Sequence, residues 1–162
     1  VGRRRRSIGS QRALGRMPRS PDDFDAVLVA LVDRLGRRLR AARRVCSTVV
    51  LRLRFDDFSR ATRSHTLPEA TAQTHAILRT ARALMAAAMP MIRRQGLTLI
   101  GVSLSNLDDD DAIQLALPFD RHDAGALDAT LDIVRDRFGS KAITRAVLLG
   151  RDPGLAVPLL PD

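Results

Sequence analysis

The sequence predicts an α+β chain: a four-stranded sheet with two helices on one of its faces, followed by a C-terminal helical tail. Three features carry that expectation. Val49, Leu51, Leu53 and Phe55 alternate with Val50, Arg52 and Arg54, the period of two expected of a strand with one apolar and one basic face. Two long segments, starting near Ser20 and Thr71, instead repeat their apolar residues at helical spacing. Glycines, prolines and short polar clusters divide the chain into strand, helix, strand, strand, helix, strand.

Residues 1–6, VGRRRR, read as the end of a basic interdomain linker, and residues 7–14, SIGSQRAL, as the first strand. The first helix is well signalled. Ser20 suits the N-cap, Pro21 the first turn, and Asp22 and Asp23 the positive end of the dipole. Phe24, Val27, Leu28, Leu31, Leu35 and Leu39 form its apolar face, and Arg37, Arg38, Arg40, Arg43 and Arg44 load its negative end. The alternating strand follows, then a turn at Asp56–Ser59 and a return strand over 60–67. The second helix, capped near Thr71, lines up Ile77, Leu78, Ala81, Met85 and Ala88, and Pro90 is predicted to kink or end it. Gly96 breaks the chain before LTLIGVSLSNL, whose Ile100, Val102 and Leu104 share one face. This β-α-β-β-α-β order is the split arrangement of ferredoxin-like sandwiches. Both helices cover one face, and the other stays open with Arg52 and Arg54 on it. The core domain is thus expected over residues 7–107. Residues 108–122 hold an acidic tether, Asp108 to Asp111, and the peptide QLALPFD. The tail over 123–162 is expected to contain an amphipathic helix that docks through Leu127, Leu131, Val134 and Phe138 and stops at Gly139. A second short helix is expected from Ala142 to Leu149, and irregular structure over the last dozen residues.

Charge narrows the function. The chain carries a net +9, and 26 of its 27 basic residues are Arg. Residues 1–107 hold 21 basic and 7 acidic residues, whereas 108–162 hold 6 and 11. A basic body with an acidic tail suits a polyanion on the body and a separate task for the tail; an Arg-rich composition with solvated helix faces is the plainer explanation. With no Trp, no Tyr and five Phe, the chain lacks the platforms on which single-strand binders stack bases. A nucleic-acid partner should therefore be a duplex held by its phosphates. No apolar run is long enough to span a bilayer, and no apolar stretch follows the basic N-terminus as a signal peptide would need. The single cysteine, Cys46, excludes an internal disulfide and a zinc site of its own. It suits a small buried residue in a reducing cytoplasm.

The basic linker with SIGSQRAL, the hairpin VVLRLRFDDFSRATRSHTLP, the strand LTLIGVSLSNLDD and the peptide QLALPF occur in this order. Together they resemble the little finger (C-terminal) domain of bacterial DinB-type Y-family translesion DNA polymerases, the polymerase IV family, over roughly residues 3–119. RDRFGSKAITRAVLLGRDPG is similar to the tail of actinobacterial members. The resemblance implies a fold with an open sheet face lying along primer–template duplex. Thr62, Arg63, Ser64, His65 and Thr66, before Pro68, match the family's phosphate-contacting strand, and Ser7, Gly9, Gln11 and Arg12 match the first strand beside the backbone. Arg52 and Arg54 complete the expected DNA-binding set. Many relatives have Glu at the position of Gln11, so a carboxylate-specific role does not carry over. Read from the residues alone, all of these also fit solvated strand positions.

QLALPF resembles the sliding-clamp-binding peptide of bacterial polymerases. The resemblance makes Leu117 and Phe119 pocket anchors, with Gln114, Leu115 and Pro118 beside them. An edge strand of the core is the alternative. Many relatives end at this peptide, whereas here 43 residues follow Phe119, leaving it either presented as a loop or covered by the later helix. Polymerase chemistry needs carboxylates that hold metal ions; in this family they and their magnesium belong to the palm. The chain therefore contributes no catalytic residue, no metal site and no cofactor of its own, and consecutive acids at 108–111 lack the fixed geometry for one. The expected whole is a cytoplasmic DNA-directed DNA polymerase, a nucleotidyltransferase. This part of it is expected to be monomeric, with duplex DNA and the clamp's beta subunit as partners and no membrane. Two alternatives stand beside it: the same module of a catalytically inactive ImuB-like adaptor, and a free-standing ferredoxin-like domain binding small ligands or proteins.

Overall fold

A computed structural model describes residues 6–15, 19–110, 124–151 and 157–158. Strand β1 spans Ser7–Ala13, helix α1 Pro21–Ala41, strand β2 Arg44–Arg54, strand β3 Arg60–Thr71, helix α2 Thr74–Gln95 and strand β4 Leu99–Asp109. In the tail, α3 spans Ala124–Phe138, a single 3-10 turn covers Ala146–Leu148, and β5 is the pair Val157–Pro158. The sheet runs β3-β2-β4-β1-β5, antiparallel at every junction. The first four strands and the two helices have the expected order. α1 packs over β1 and β4, and α2 over β2 and β3.

Local chemistry accounts for the elements. At the start of α1 the Ser20 hydroxyl accepts from the Asp23 N–H, and the Asp23 carboxylate accepts from the Ser20 N–H at 2.9 Å. This capping box satisfies two donors that the helix end would leave open. The apolar stripe from Phe24 to Leu39 is buried against the sheet. On the sheet it meets Val49, Leu51 and Leu53 of β2 and Ile100, Val102 and Leu104 of β4, all buried. Gly96 ends α2 with φ +68, where a Cβ would collide with the Asp56 carboxylate. Only glycine serves both the backbone angle and the close approach.

The structure corrects three expectations about these elements. α2 begins at Thr74 rather than Thr71, and its N-cap, Gln73, makes no side-chain cap bond. Pro90 does not end the helix, which runs on to Gln95. Proline removes one bond to the carbonyl of Ala86, but Ala86 and Pro90 both face solvent, so water can take that carbonyl. Ala88 and Ile92, on either side of Pro90, are buried and hold the helix to the core. Third, β4 continues past Leu107 through Asp108 and Asp109, which pair with Val45 and Arg44. The acidic run therefore starts inside the sheet.

The tail departs further. α3 forms where expected but docks with a different face. Asp128 and Arg135 are its buried residues, while Leu127 and Phe138 stay 56% and 67% exposed. Arg40 of α1 grips Asp132 through Nε at 2.6 Å and Nη2 at 3.1 Å. Its Nη1 donates to Asp128, to Thr74 Oγ1 and to the Ala72 carbonyl. Arg135 and Arg145 both pair with Asp33, and Arg37 pairs with Asp136. The Asp128 carboxylate accepts from the Thr74 N–H at 2.7 Å. It supplies the cap that Gln73 does not. The reason lies on α1, whose apolar side is spent on the sheet. The outer side offers Asp33, Arg37 and Arg40 at helical spacing, so α3 docks by charge. The expected helix over 142–149 reduces to the 3-10 turn. The last dozen residues, expected to be irregular, contain β5, which pairs Pro158 with Ser10 and Val157 with Gln11.

Candidate nucleic-acid interface

The register fixes what the uncovered sheet face presents. Residues directly opposite one another point to the same side. Since Val49, Leu51 and Leu53 face the helices, their neighbours face outward. Across β3, β2, β4 and β1 the outward rows are Thr66–Thr48–Ser105–Ser7, Ser64–Val50–Ser103–Gly9, Thr62–Arg52–Gly101–Gln11 and Arg60–Arg54–Leu99–Ala13. These rows contain seven hydroxyl side chains, three arginines and no acid.

The structure thus brings Ser7, Gly9, Gln11, Arg52, Arg54, Thr62, Ser64 and Thr66 onto one surface. It does not bring Arg12, Arg63 and His65 there. They pair with Ile100, Leu51 and Val49, which belong to the helix-facing side. On the edge strand β3, Arg63 and His65 flank the outer rim instead. His65 is exposed, and Arg63 buries its Nε without a hydrogen-bond partner. Arg60, Thr48, Ser103 and Ser105 complete the surface, and sequence reading did not single them out. Arg60 was within reach, because a hairpin turning at Asp56–Ser59 sets it opposite Arg54.

The electrostatics favour an anion. Arg54 and Arg60 are directly opposed like charges, an arrangement that destabilises a sheet unless something negative lies over it. Arg54 Nε donates to Thr98 Oγ1 at 3.3 Å, which fixes the base of that side chain. Some hydroxyls hold the surface itself: Asn106 donates to Thr48 Oγ1, which lies 3.3 Å from Thr66 Oγ1, and Ser103 donates to the Ile8 carbonyl. Ser7, Thr62 and Ser64 are exposed. Gly101, Ser103 and Ser105 keep the middle strand low between the arginine side and β1. At the hairpin tip, the Ser59 hydroxyl and N–H hold the Asp57 carboxyl below its ordinary range; they lie 2.6 and 2.9 Å from it. Phe58, next to it, has φ +66 and is 65% exposed.

Among the described residues no three His, Cys, Asp or Glu side chains are grouped to hold a metal ion. No described helix is long and apolar enough to cross a membrane. Cys46 is fully buried, as expected. Gln114, Leu115, Leu117, Pro118 and Phe119 lie outside the described residues.

Residues 5–117 match the family model described as the impB/mucB/samB family C-terminal domain. The chain is 34% identical over 155 residues to DNA polymerase IV 2 of Mesorhizobium japonicum, covering 87% of this chain and 37% of that protein. It is 31% identical over 128 residues to DNA polymerase IV of Clostridium acetobutylicum, covering 78% and 32%. It thus spans about a third of the length of these curated relatives. Among solved structures, it is similar to one described as a complex of beta-clamp processivity factor and little finger domain of PolIV. That likeness has a TM-score of 0.50 at 22% identity, over 70% of this chain and 99% of that one. A post-insertion binary complex of Dbh DNA polymerase gives 0.55 at 14% identity, over 64% and 29%. At these identities the likeness is one of fold.

Proposed function

The chain belongs to the family described as the impB/mucB/samB family C-terminal domain, and from that premise we propose that it is the duplex-DNA-holding, clamp-docking little finger of a translesion DNA polymerase. The observation that carries this reading is the uncovered sheet face. Its hydroxyls and arginines, with no acid among them, suit phosphate oxygens and read no base sequence. Duplex lies along the face, with Arg52, Arg54 and Arg60 toward one strand and Ser7, Gly9 and Gln11 beside the other. Arg63 and His65 approach the backbone from the rim of β3. Leu117 and Phe119 anchor the chain in the apolar pocket of a sliding clamp, with Gln114, Leu115 and Pro118 as flanking contacts. In the intact protein, nucleotidyl transfer, its carboxylates and its magnesium belong to the other two thirds, and the setting is the cytoplasm.

The test is duplex binding followed by fluorescence anisotropy over a salt series. Affinity should fall steeply with salt, with a slope of about 0.9 in log–log terms per phosphate neutralised. The R52A/R54A/R60A variant should bind more weakly and with a shallower slope. An unchanged slope in that variant removes the sheet face as the DNA site.

A further inference from the structure

We propose that the outward apolar stripe of α3 is a second contact for the same sliding clamp, beside the peptide; this rests on the clamp reading above. Leu127, Leu131, Val134 and Phe138 repeat along one side of α3, about a quarter-turn from the charged side that docks on α1. Leu127 and Phe138 are 56% and 67% exposed, and Leu131 and Val134 are only partly buried. The ion pairs to Asp33, Arg37 and Arg40 hold the helix in one orientation. The stripe is therefore presented on a rigid support, which lowers the entropy lost on docking.

Three observations choose the occupant. Ala124 lies five residues beyond Phe119, a span of about 17 Å at full extension. A clamp holding Phe119 is therefore tethered within that reach of the start of α3. DNA does not suit the stripe, which is apolar and belongs to a tail that from residue 108 carries 11 acidic against 6 basic residues. Finally, α3 docks on the helix layer, on the opposite side from the open sheet face. A clamp here leaves the duplex track clear.

The test is calorimetric titration of the 162-residue chain with a bacterial beta clamp, alongside thermal melts. L127S/F138S should bind the clamp about ten-fold more weakly, with faster dissociation and an unchanged melt. Hydrogen exchange of the unsubstituted chain should show clamp-induced protection over 127–138. If the unsubstituted chain does not bind the clamp, the clamp reading itself fails. If it binds and L127S/F138S binds equally well, only the second contact fails. A lowered melt for L127S/F138S would instead assign the stripe to the fold. A concentration-dependent dimer, abolished by the same substitutions, would assign it to a second copy of the chain. Either result overturns the proposal.

Discussion

Asp128 has partners on three segments: the Thr74 N–H at 2.7 Å, Arg40 at 3.2 Å and Arg145 at 3.4 Å. Replacing it with Ala leaves the Thr74 N–H at a buried helix N-terminus without its acceptor, while Arg40 keeps Asp132 and Arg145 keeps Asp33. D128A should therefore lose about 1–3 kcal/mol, read as a lower melting temperature or as early release of the tail. D128N keeps the shape and a carbonyl for the Thr74 N–H, and should cost less. Asp23 behaves differently because it lies at the surface. Bonds from Ser20, then Arg151, lower its pKa from 3.8 to about 2. A depressed carboxyl pKa stabilises the fold above the unfolded value and ceases to do so as pH falls through the folded one. The melting advantage of the unsubstituted protein over D23N should thus be full above about pH 4 and fade toward pH 2. Burial pushes the Cys46 thiol up to about 12. At pH 8 a maleimide should label it only after denaturation; rapid labelling of the folded chain would contradict its packing. The Ser20 cap could be read in the sequence because its partner is three residues away. The Asp128 cap could not, because its partner is 54 positions distant.

At the scale of elements, α3 separates what periodicity specifies from what it leaves open. Leu127, Leu131, Val134 and Phe138 specify a helix correctly, but which side turns inward depends on the surface it meets. That surface exists only after α1 has buried its own apolar stripe, leaving Asp33, Arg37 and Arg40 outside. Arg40 and Asp132 are the centre of the contact, at 2.6 Å and with both side chains mostly buried. R40A and D132A should each release α3, and the double variant should cost much less than their sum, a coupling of about 1–3 kcal/mol in a double-mutant cycle. Strict additivity would mean that the pair does not hold the helix. The sheet face was legible at the hairpin, where alternation and the turn together give the register. It was less legible on β3, because reading Thr62 to Thr66 as one contact strip ignores that successive residues face opposite ways. Alternation alone assigns Arg63 to the other side.

Across the whole molecule, the two faces divide the work: helices and tail on one, hydroxyls and arginines on the other. The four-strand, two-helix frame could be read because each segment's period agrees with its place in the fold. β5 could not, because two residues carry no period; only the edge of β1 gives them a partner. That pairing also bears on the order of events in folding. β2 and β3 meet across a short turn, β1 must wait for β4, and β5 closes on β1 from the far end of the sequence. Contacts so distant in sequence are slow to form. Refolding should therefore proceed from the central hairpin outward. In pulse-labelled exchange the Val50–Ser64 ladder should gain protection first. Whichever amide of Ser10 or Gln11 faces β5 should gain it last, so the two ends of the chain are expected to be the final seam.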